Sequence, residues 1–247
     1  VRLTEVFRQA DLSPIVRSAH KINHGEMPDC VPGSDFSLVE FDGEEEAAAY
    51  TTQQYLEAAG NGRWQDVQVL APMHRGLCGV QNLNRLLQQR VNPPAPGREE
   101  LARPDGVLRE GDKVMQIRNN YEKDVYNGDV GQIVHVYGKT VQVRYPYRPD
   151  QEYVTYAEGE TEELQLAYAM SVHKSQGSEY PAVILALVPS HYIMLQRNLL
   201  YTAVTRAKRK VLLVGSKAAL QRAVLNDRTQ RRYSLLAERL QENGEIR

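Results

Sequence analysis

The sequence predicts an α/β fold: a parallel sheet with flanking helices, carrying a small antiparallel barrel or sheet. Three observations predict it. Short, strongly apolar runs such as Val67–Ala71 and Ala182–Val188 read as strands buried on both faces. Segments with helical spacing alternate with them, at Glu44–Ala59, Gln81–Arg90 and Lys217–Leu225. Between residues 113 and 156 the pattern changes to short strands separated by turns, the mark of a small antiparallel unit.

The chain has 247 residues, 42% of them hydrophobic, enough for one large or two modest domains. A net charge of −1 argues for no partner by itself. Its distribution is uneven: Asp29 to Gly62 carries eight acidic residues and no Lys or Arg, whereas Arg197 to Arg247 carries twelve basic and four acidic ones. Such asymmetry marks either a polyanion-facing side or a solvated helical face. Cys30 and Cys78 form neither a metal-like cluster nor a disulfide framework, so a reducing cytoplasm is the simplest setting. No apolar run approaches the roughly 18 residues of a membrane span, and no signal peptide is visible. Val1 already lies inside a patterned segment, which suggests a piece of a longer protein.

In chain order, Ser13-Pro14 starts a helix whose buried stripe is Ile15, Val16, Ala19 and Ile22, with Gly25 as its stop. Phe36–Phe41 alternates as a strand, and the Glu44 helix carries its acids in the first turn, where the helix dipole favours them. The Val67–Ala71 strand ends in a loop, Pro72–Gly76, that presents His74 and Arg75. Val91–Asp105 holds four prolines and a glycine and reads as a connector. Lys113–Ile117 follows as a strand, then a turn-rich element around Asn127-Gly128. Strands Gly131–Val136, Val141–Tyr145 and Tyr153–Tyr156 come next. Tyr137, Tyr145, Tyr147, Tyr153 and Tyr156 beside Lys139, Arg144 and Arg148 suit either strand packing or stacking on single-stranded nucleic acid. Trp64 reads as a packing residue, and Arg231–Leu240 as a terminal helix.

Two stretches carry chemistry. The run Leu164–Met170 leads into Ser171–Glu179, S-V-H-K-S-Q-G-S-E, which sits between two strands. Gly177 allows close backbone approach, His173, Lys174 and Ser175 can donate to phosphate, and Glu179 can accept from a hydroxyl. Within Asn198–Lys210, Leu199, Leu200, Ala203, Val204 and Ala207 fall at helical spacing before a new strand, Val211–Gly215, so Thr205 and Arg206 lie near the helix end that faces the Ser171 loop if the two strands are neighbours. An arginine there can stabilise charge on a transferring phosphoryl group. No G-x-x-x-x-G-K-[ST] phosphate loop and no acidic Mg²⁺-binding motif after a suitable strand occurs in the chain.

H-K-S-Q-G-S-E and Y-T-A-V-T-R-A-K together resemble two late motifs of superfamily 1 helicases, in the form of the RecD-like branch, the exonuclease V alpha-subunit type. L-T-E-V-F-R-Q at residues 3–9 resembles an earlier motif of the same set, V-L-A-P-M-H-R-G its following segment, and G-D-K-V-M-Q-I-R-N-N-Y with V-Y-N-G-D-V-G the lead into an inserted SH3-like barrel. The resemblance implies the C-terminal half of an ATP-dependent DNA helicase. It implies a RecA-like second motor domain at 1–123 and 164–247 and a barrel at 124–163. Arg8 and Arg206 would serve as catalytic arginines; Gln9, Gly177 and Glu179 would contact nucleotide; His74, Arg75, Ser171, His173 and Lys174 would contact DNA; none would bind metal. ATP and Mg²⁺ would be held mainly by an N-terminal motor domain. The partners implied are single-stranded or tailed DNA, that N-terminal domain and nuclease-complex subunits, with 5′ to 3′ translocation in recombination or repair. A non-catalytic single-strand-binding or subunit-contact module is the alternative.

Overall fold

The computed structural model describes residues 13–149 and 152–227. Its first half runs α1 (Pro14–Asn23), β1 (Phe36–Glu40), α2 (Glu44–Ala58), β2 (Val67–Ala71) and α3 (Val80–Val91). A hairpin, β3 (Glu100–Arg103) and β4 (Gly106–Arg109), leads to β5 (Lys113–Gln116), β6 (Val130–Tyr137), β7 (Thr140–Arg144), β8 (Val154–Tyr156) and β9 (Leu164–Leu166). The chain closes with β10 (Ala169–Ser171), β11 (Tyr180–Leu187), α4 (Arg197–Val204), β12 (Ala207–Gly215) and α5 (Lys217–Leu225).

Five strands form the main sheet in the order β1-β12-β11-β2-β10, and every pairing is parallel. Parallel sheets need both faces covered, which explains the continuous apolar runs that build them. On one face α1, α4 and α5 pack Ile15, Ile22, Leu200, Val204, Leu220 and Val224 against Phe36, Leu185 and Leu213. On the other, α2 and α3 pack Ala48, Tyr55, Leu83 and Leu87 against Val67, Val69, Ile184 and Val214. Local chemistry sets the helix ends. The Ser13 hydroxyl accepts from Ile15 N at 3.3 Å ahead of Pro14, and the Ser216 hydroxyl accepts from Ala219 N at 3.0 Å. Among the described residues no helix is long and apolar enough to cross a membrane.

The small sheet is antiparallel, in the order β8-β7-β6-β5-β9, and wraps its own core of Val114, Ile133, Val141, Val143, Tyr145, Tyr156 and Leu164. A parallel sheet with flanking helices and a small inserted β-unit is the fold class the sequence predicts. Four details differ. The last strand begins at Ala207 rather than Val211, because the backbone of 207–210 pairs with the start of β11, so Ala207 belongs to β12 and not to the helix before it. The Leu164–Met170 run is two strands: β9 pairs with β5 in the small sheet, and β10 pairs with β2 in the main one. The small sheet therefore reaches from Lys113 to Leu166, and the expected limits of 124 and 163 leave out two of its five strands. The 91–105 connector contains β3, whose four residues alternate between exposed and half-buried.

The change of sheet after Leu166 is stitched by Gln68 in the fully buried β2. Its Nε2 donates to the carbonyls of Val69, Ala167 and Tyr168 at 3.0–3.1 Å. Tyr145 and Tyr156 are barrel core: their hydroxyls are 2.7 Å apart, and Tyr156 donates to Gln116 Oε1 at 2.9 Å. Tyr121, Tyr126, Tyr137, Tyr147 and Tyr153 are exposed.

Candidate functional site

The segment 172–179 joins the end of β10 to the start of β11. Ser171 pairs with Ala71 at the C-terminal end of the sheet, whereas Tyr180 pairs with Ala207 at the N-terminal end. One short loop therefore spans the length of the sheet and contributes to both ends. Ser175, buried within it, donates its hydroxyl to Val172 O at 2.7 Å and fixes its first turn.

Arg206 stands at the N-terminal end, between α4 and β12. Its backbone carbonyl accepts from Tyr180 N at 2.8 Å. Its guanidinium is half-buried and held three ways: Nε donates to Thr202 O at 3.1 Å, Nη1 to Ser178 O at 3.1 Å and Nη2 to Thr205 Oγ1 at 3.2 Å. A guanidinium has five N–H donors, so these bonds leave one on each terminal nitrogen. A guanidinium with donors to spare is the group that meets a phosphate or carboxylate. Glu179, at the same end, pairs with Lys208 at 3.2 Å. Gly177 is exposed with φ +86°, a conformation that side-chain-bearing residues rarely adopt, and no atom lies within 4 Å of where a Cβ would stand. Glycine is required there by the turn, and the space above its backbone is open.

The opposite end of the sheet gathers the other expected residues. His74 and Arg75 are exposed in the loop after β2, whose carbonyls cap α3: Val80 N donates to Met73 O and Gln81 N to His74 O, each at 3.0 Å. Because β2 and β10 are neighbours, that loop adjoins the one carrying His173, which is also exposed. Ser171 is buried, and its hydroxyl accepts from Lys174 N at 3.3 Å, so it shapes the loop. Lys174 is half-buried, and its ammonium donates to Asn127 Oδ1 at 2.7 Å. The described residues expected at nucleotide and those expected at DNA thus lie toward opposite ends of the sheet, bridged by the 172–179 loop. Arg8 and Gln9 lie outside the described residues.

A model of the ATP-dependent RecD-like DNA helicase SH3 domain matches residues 83–145, and a model of the UvrD-like helicase C-terminal domain matches residues 166–214. The chain is 36% identical over 237 residues to the ATP-dependent RecD2 DNA helicase of Deinococcus radiodurans, an alignment covering 96% of this chain. The chain belongs to the RecD-like helicase family. It is also 35% identical over 179 residues to the RecBCD enzyme subunit RecD of Mycobacterium tuberculosis, across 69% of its length. The RecD-like chain spans 31% and 29% of those two relatives. The solved structure of Bacteroides Pif1 bound to ssDNA superposes over 99% of this chain and 57% of that one, with TM-score 0.56 and 16% identity, a likeness of fold. Candida albicans Pif1 gives TM-score 0.53 over 97% of this chain and 60% of its own.

Several contacts in this RecD-like chain had no sequence signal. Lys113 opens a strand that patterning predicts, but nothing local marks its side chain as wholly buried, donating to Trp64 O, Val67 O and Gln68 Oε1 at 2.9–3.1 Å. Burial pulls its ammonium down to about 7, while three oxygens and the rings of Tyr55, Trp64 and Tyr180 hold the charge it keeps. Its neighbour Asp112 is also buried, which raises its pKa against the donors Asn92, Gln88, Tyr168 and Arg109 N. Among the described residues no group of three or more His, Cys, Asp or Glu is placed to hold a metal ion.

His191, on the short turn after β11, is buried, and neither ring nitrogen has a hydrogen-bond partner. Burial holds its pKa down at about 4, against the weaker upward pull of Glu44 and the Cys78 backbone. The unfolded chain takes up this proton near pH 6.5, before the folded chain does. The stability that depends on a neutral His191 is therefore complete above about pH 6.5 and lost as pH falls toward 4, at a cost of about 2 kcal/mol between pH 7 and pH 5. Urea unfolding at those two pH values is expected to show this loss in the parent chain and not in His191→Leu.

Proposed function

We propose that this chain is the second motor lobe of an ATP-dependent DNA helicase, closing over nucleotide held by an N-terminal lobe of the same protein. The observation that carries this reading is the state of Arg206, tethered by three acceptors at the sheet end with one N–H left on each terminal nitrogen. A cation held so costs little reorganisation when charge builds on a transferring phosphoryl group. Two such N–H groups fit a phosphate of ATP. The described residues offer no carboxylate cluster for Mg²⁺, which in this reading is bound by the N-terminal lobe. Bound ATP supplies the hydrolysable bond; Arg206, with Arg8 as the second arginine and Gln9 beside it, stabilises the charge that develops. Gly177 leaves backbone accessible near the nucleotide, and Glu179, paired with Lys208, lies on the ribose side.

At the other end of the sheet, His74, Arg75 and His173 supply exposed donors for a phosphate backbone, and the Ser171 and Lys174 loop shapes that surface. Exposed Tyr121, Tyr126 and Tyr147 surround the neighbouring barrel turn and suit stacking on unpaired bases. Opening and closing of the two lobes would move the protein along one strand, in the 5′ to 3′ sense and in the cytoplasm, alone or beside nuclease-complex subunits. The main lobe in this scheme comprises the residues flanking the 113–166 barrel.

A single-strand-stimulated ATPase assay tests the proposal. The full-length protein containing this chain should hydrolyse ATP and unwind a 5′-tailed duplex in preference to a 3′-tailed one. The 247-residue chain by itself should bind labelled oligothymidylate without measurable turnover. Turnover by the chain alone would refute the two-lobe reading. A full-length protein that binds DNA yet never hydrolyses ATP would leave the non-catalytic binding module, which the exposed tyrosines favour.

A further inference from the structure

The loop that carries the acceptor for Arg206 is fastened to the barrel at two places. Near its start, Lys174 Nζ donates to Asn127 Oδ1 at 2.7 Å. Asn127 lies in a turn closed by Asp129 N donating to Tyr126 O at 3.0 Å. The turn is bound to β5 by Gly128 N donating to Gln116 O and Gln116 N donating to Asp129 O, each at 2.9 Å. Moving Asn127 therefore moves β5. At the far end of the loop, the Tyr180 ring lies 6.0 Å from the ammonium of Lys113, the first residue of that same strand. Lys113 is locked there by its three oxygen acceptors. Between the two fastenings, Ser178 O holds the Arg206 guanidinium and Tyr180 N holds the Arg206 carbonyl.

We propose that this loop is a strut coupling the barrel to Arg206, with Lys174 and Asn127 as its coupling pair. The inference rests on the motor reading above and adds to it a route by which the barrel's hold on single-stranded DNA alters the arginine. A hydrogen bond from an ammonium to an amide oxygen is charge-assisted, and at a half-exposed position it can break and re-form within a working cycle. Both sites then bias one physical element, which is what coupling requires. Lys174 is thus a positioning residue, and its ammonium serves the barrel before it serves a phosphate.

The test uses the full-length protein and a labelled oligothymidylate, measuring Kd with and without a non-hydrolysable ATP analogue across a salt series. The parent should show a nucleotide-dependent change in affinity of about fivefold or more. Lys174→Met and Asn127→Ala should each reduce that change to below about twofold, with the double variant no lower than either single one. Asn127→Asp, which keeps an acceptor for the ammonium, should retain the coupling. The dependence of log Kd on log salt should be unchanged in all of them. The proposal is overturned if Lys174→Met weakens binding equally with and without nucleotide, lowers the salt slope by about one, and Asn127→Ala does nothing, because Lys174 is then a phosphate contact. Additive losses in the double variant, or a parent whose affinity ignores the nucleotide while its ATPase is intact, overturn it as well. A parent that neither binds nor hydrolyses ATP defeats the motor reading itself, and is recognised by that absence before any variant is made.

Discussion

Arg206→Ala, in the full-length protein, is expected to slow ATP turnover by about a thousandfold or more, the range found when an arginine is withdrawn from a phosphoryl-transfer site. Nucleotide affinity should change by less than about threefold, since an interaction made mainly in the transition state contributes little to ground-state binding. Arg206→Lys should recover only a small part of the loss. A lysine keeps the charge but cannot donate to Thr202 O, Ser178 O and Thr205 Oγ1 from one planar group and still present two parallel N–H bonds. The three lost bonds also carry a stability cost of about 1–3 kcal/mol, so melting curves belong beside the kinetics. Unchanged turnover in a folded variant would show that another group neutralises the phosphate.

Gly215→Ala should be the most damaging small substitution in the main sheet. Gly215 ends β12, pairs with Glu40 on one side and Leu187 on the other, and has φ +146°. A Cβ would stand 2.1 Å from Leu187 O. That oxygen cannot retreat, because it accepts from Ser216 N at 3.0 Å, while Gly215 O accepts from Phe41 N at 2.8 Å. Relief requires parting the neighbouring strands. A destabilisation of about 3 kcal/mol or more is expected, which for a chain of this size lowers the melting temperature by roughly 6–12 °C. Gly60→Ala is the matched control, since nothing lies within 4 Å of its added methyl group. Equal melting temperatures for the two variants would contradict the close strand approach at Gly215.

The main sheet is legible from the chain because its central strands β2 and β11 are built from near-continuous apolar runs, and β2 and α5 fall where hydrophobic patterning places them. The proximity of Arg206 to the Ser171–Glu179 loop follows once β11 and β12 are neighbours, and they are. Pattern does not reveal pairing, however. Leu164-Gln165-Leu166 and Ala169-Met170-Ser171 look alike as residues, yet different partners draw them into different sheets. Lys113 is illegible for a related reason. Its acceptors lie 45 to 49 residues away, and no local rule announces that an ammonium will find them. The hairpin at residues 100–109 hides behind prolines and charges, because it is stabilised by its own ladder with Leu108 as the buried anchor. Asn127 reads as a turn residue, and it is one; its grip on Lys174 exists only after the barrel has docked.

The first and last strands of the small sheet are hydrogen-bonded to each other, Val114 facing Leu166 and Gln116 facing Leu164. The chain therefore departs from and rejoins the parent sheet at almost the same point, about 5 Å apart as antiparallel partners are. Such a cassette can be lengthened, exchanged between relatives or grafted into another host without re-spacing the host's own strands. Length and loop changes inside the cassette would thus be absorbed there, provided the Asn127 turn that holds Lys174 is kept.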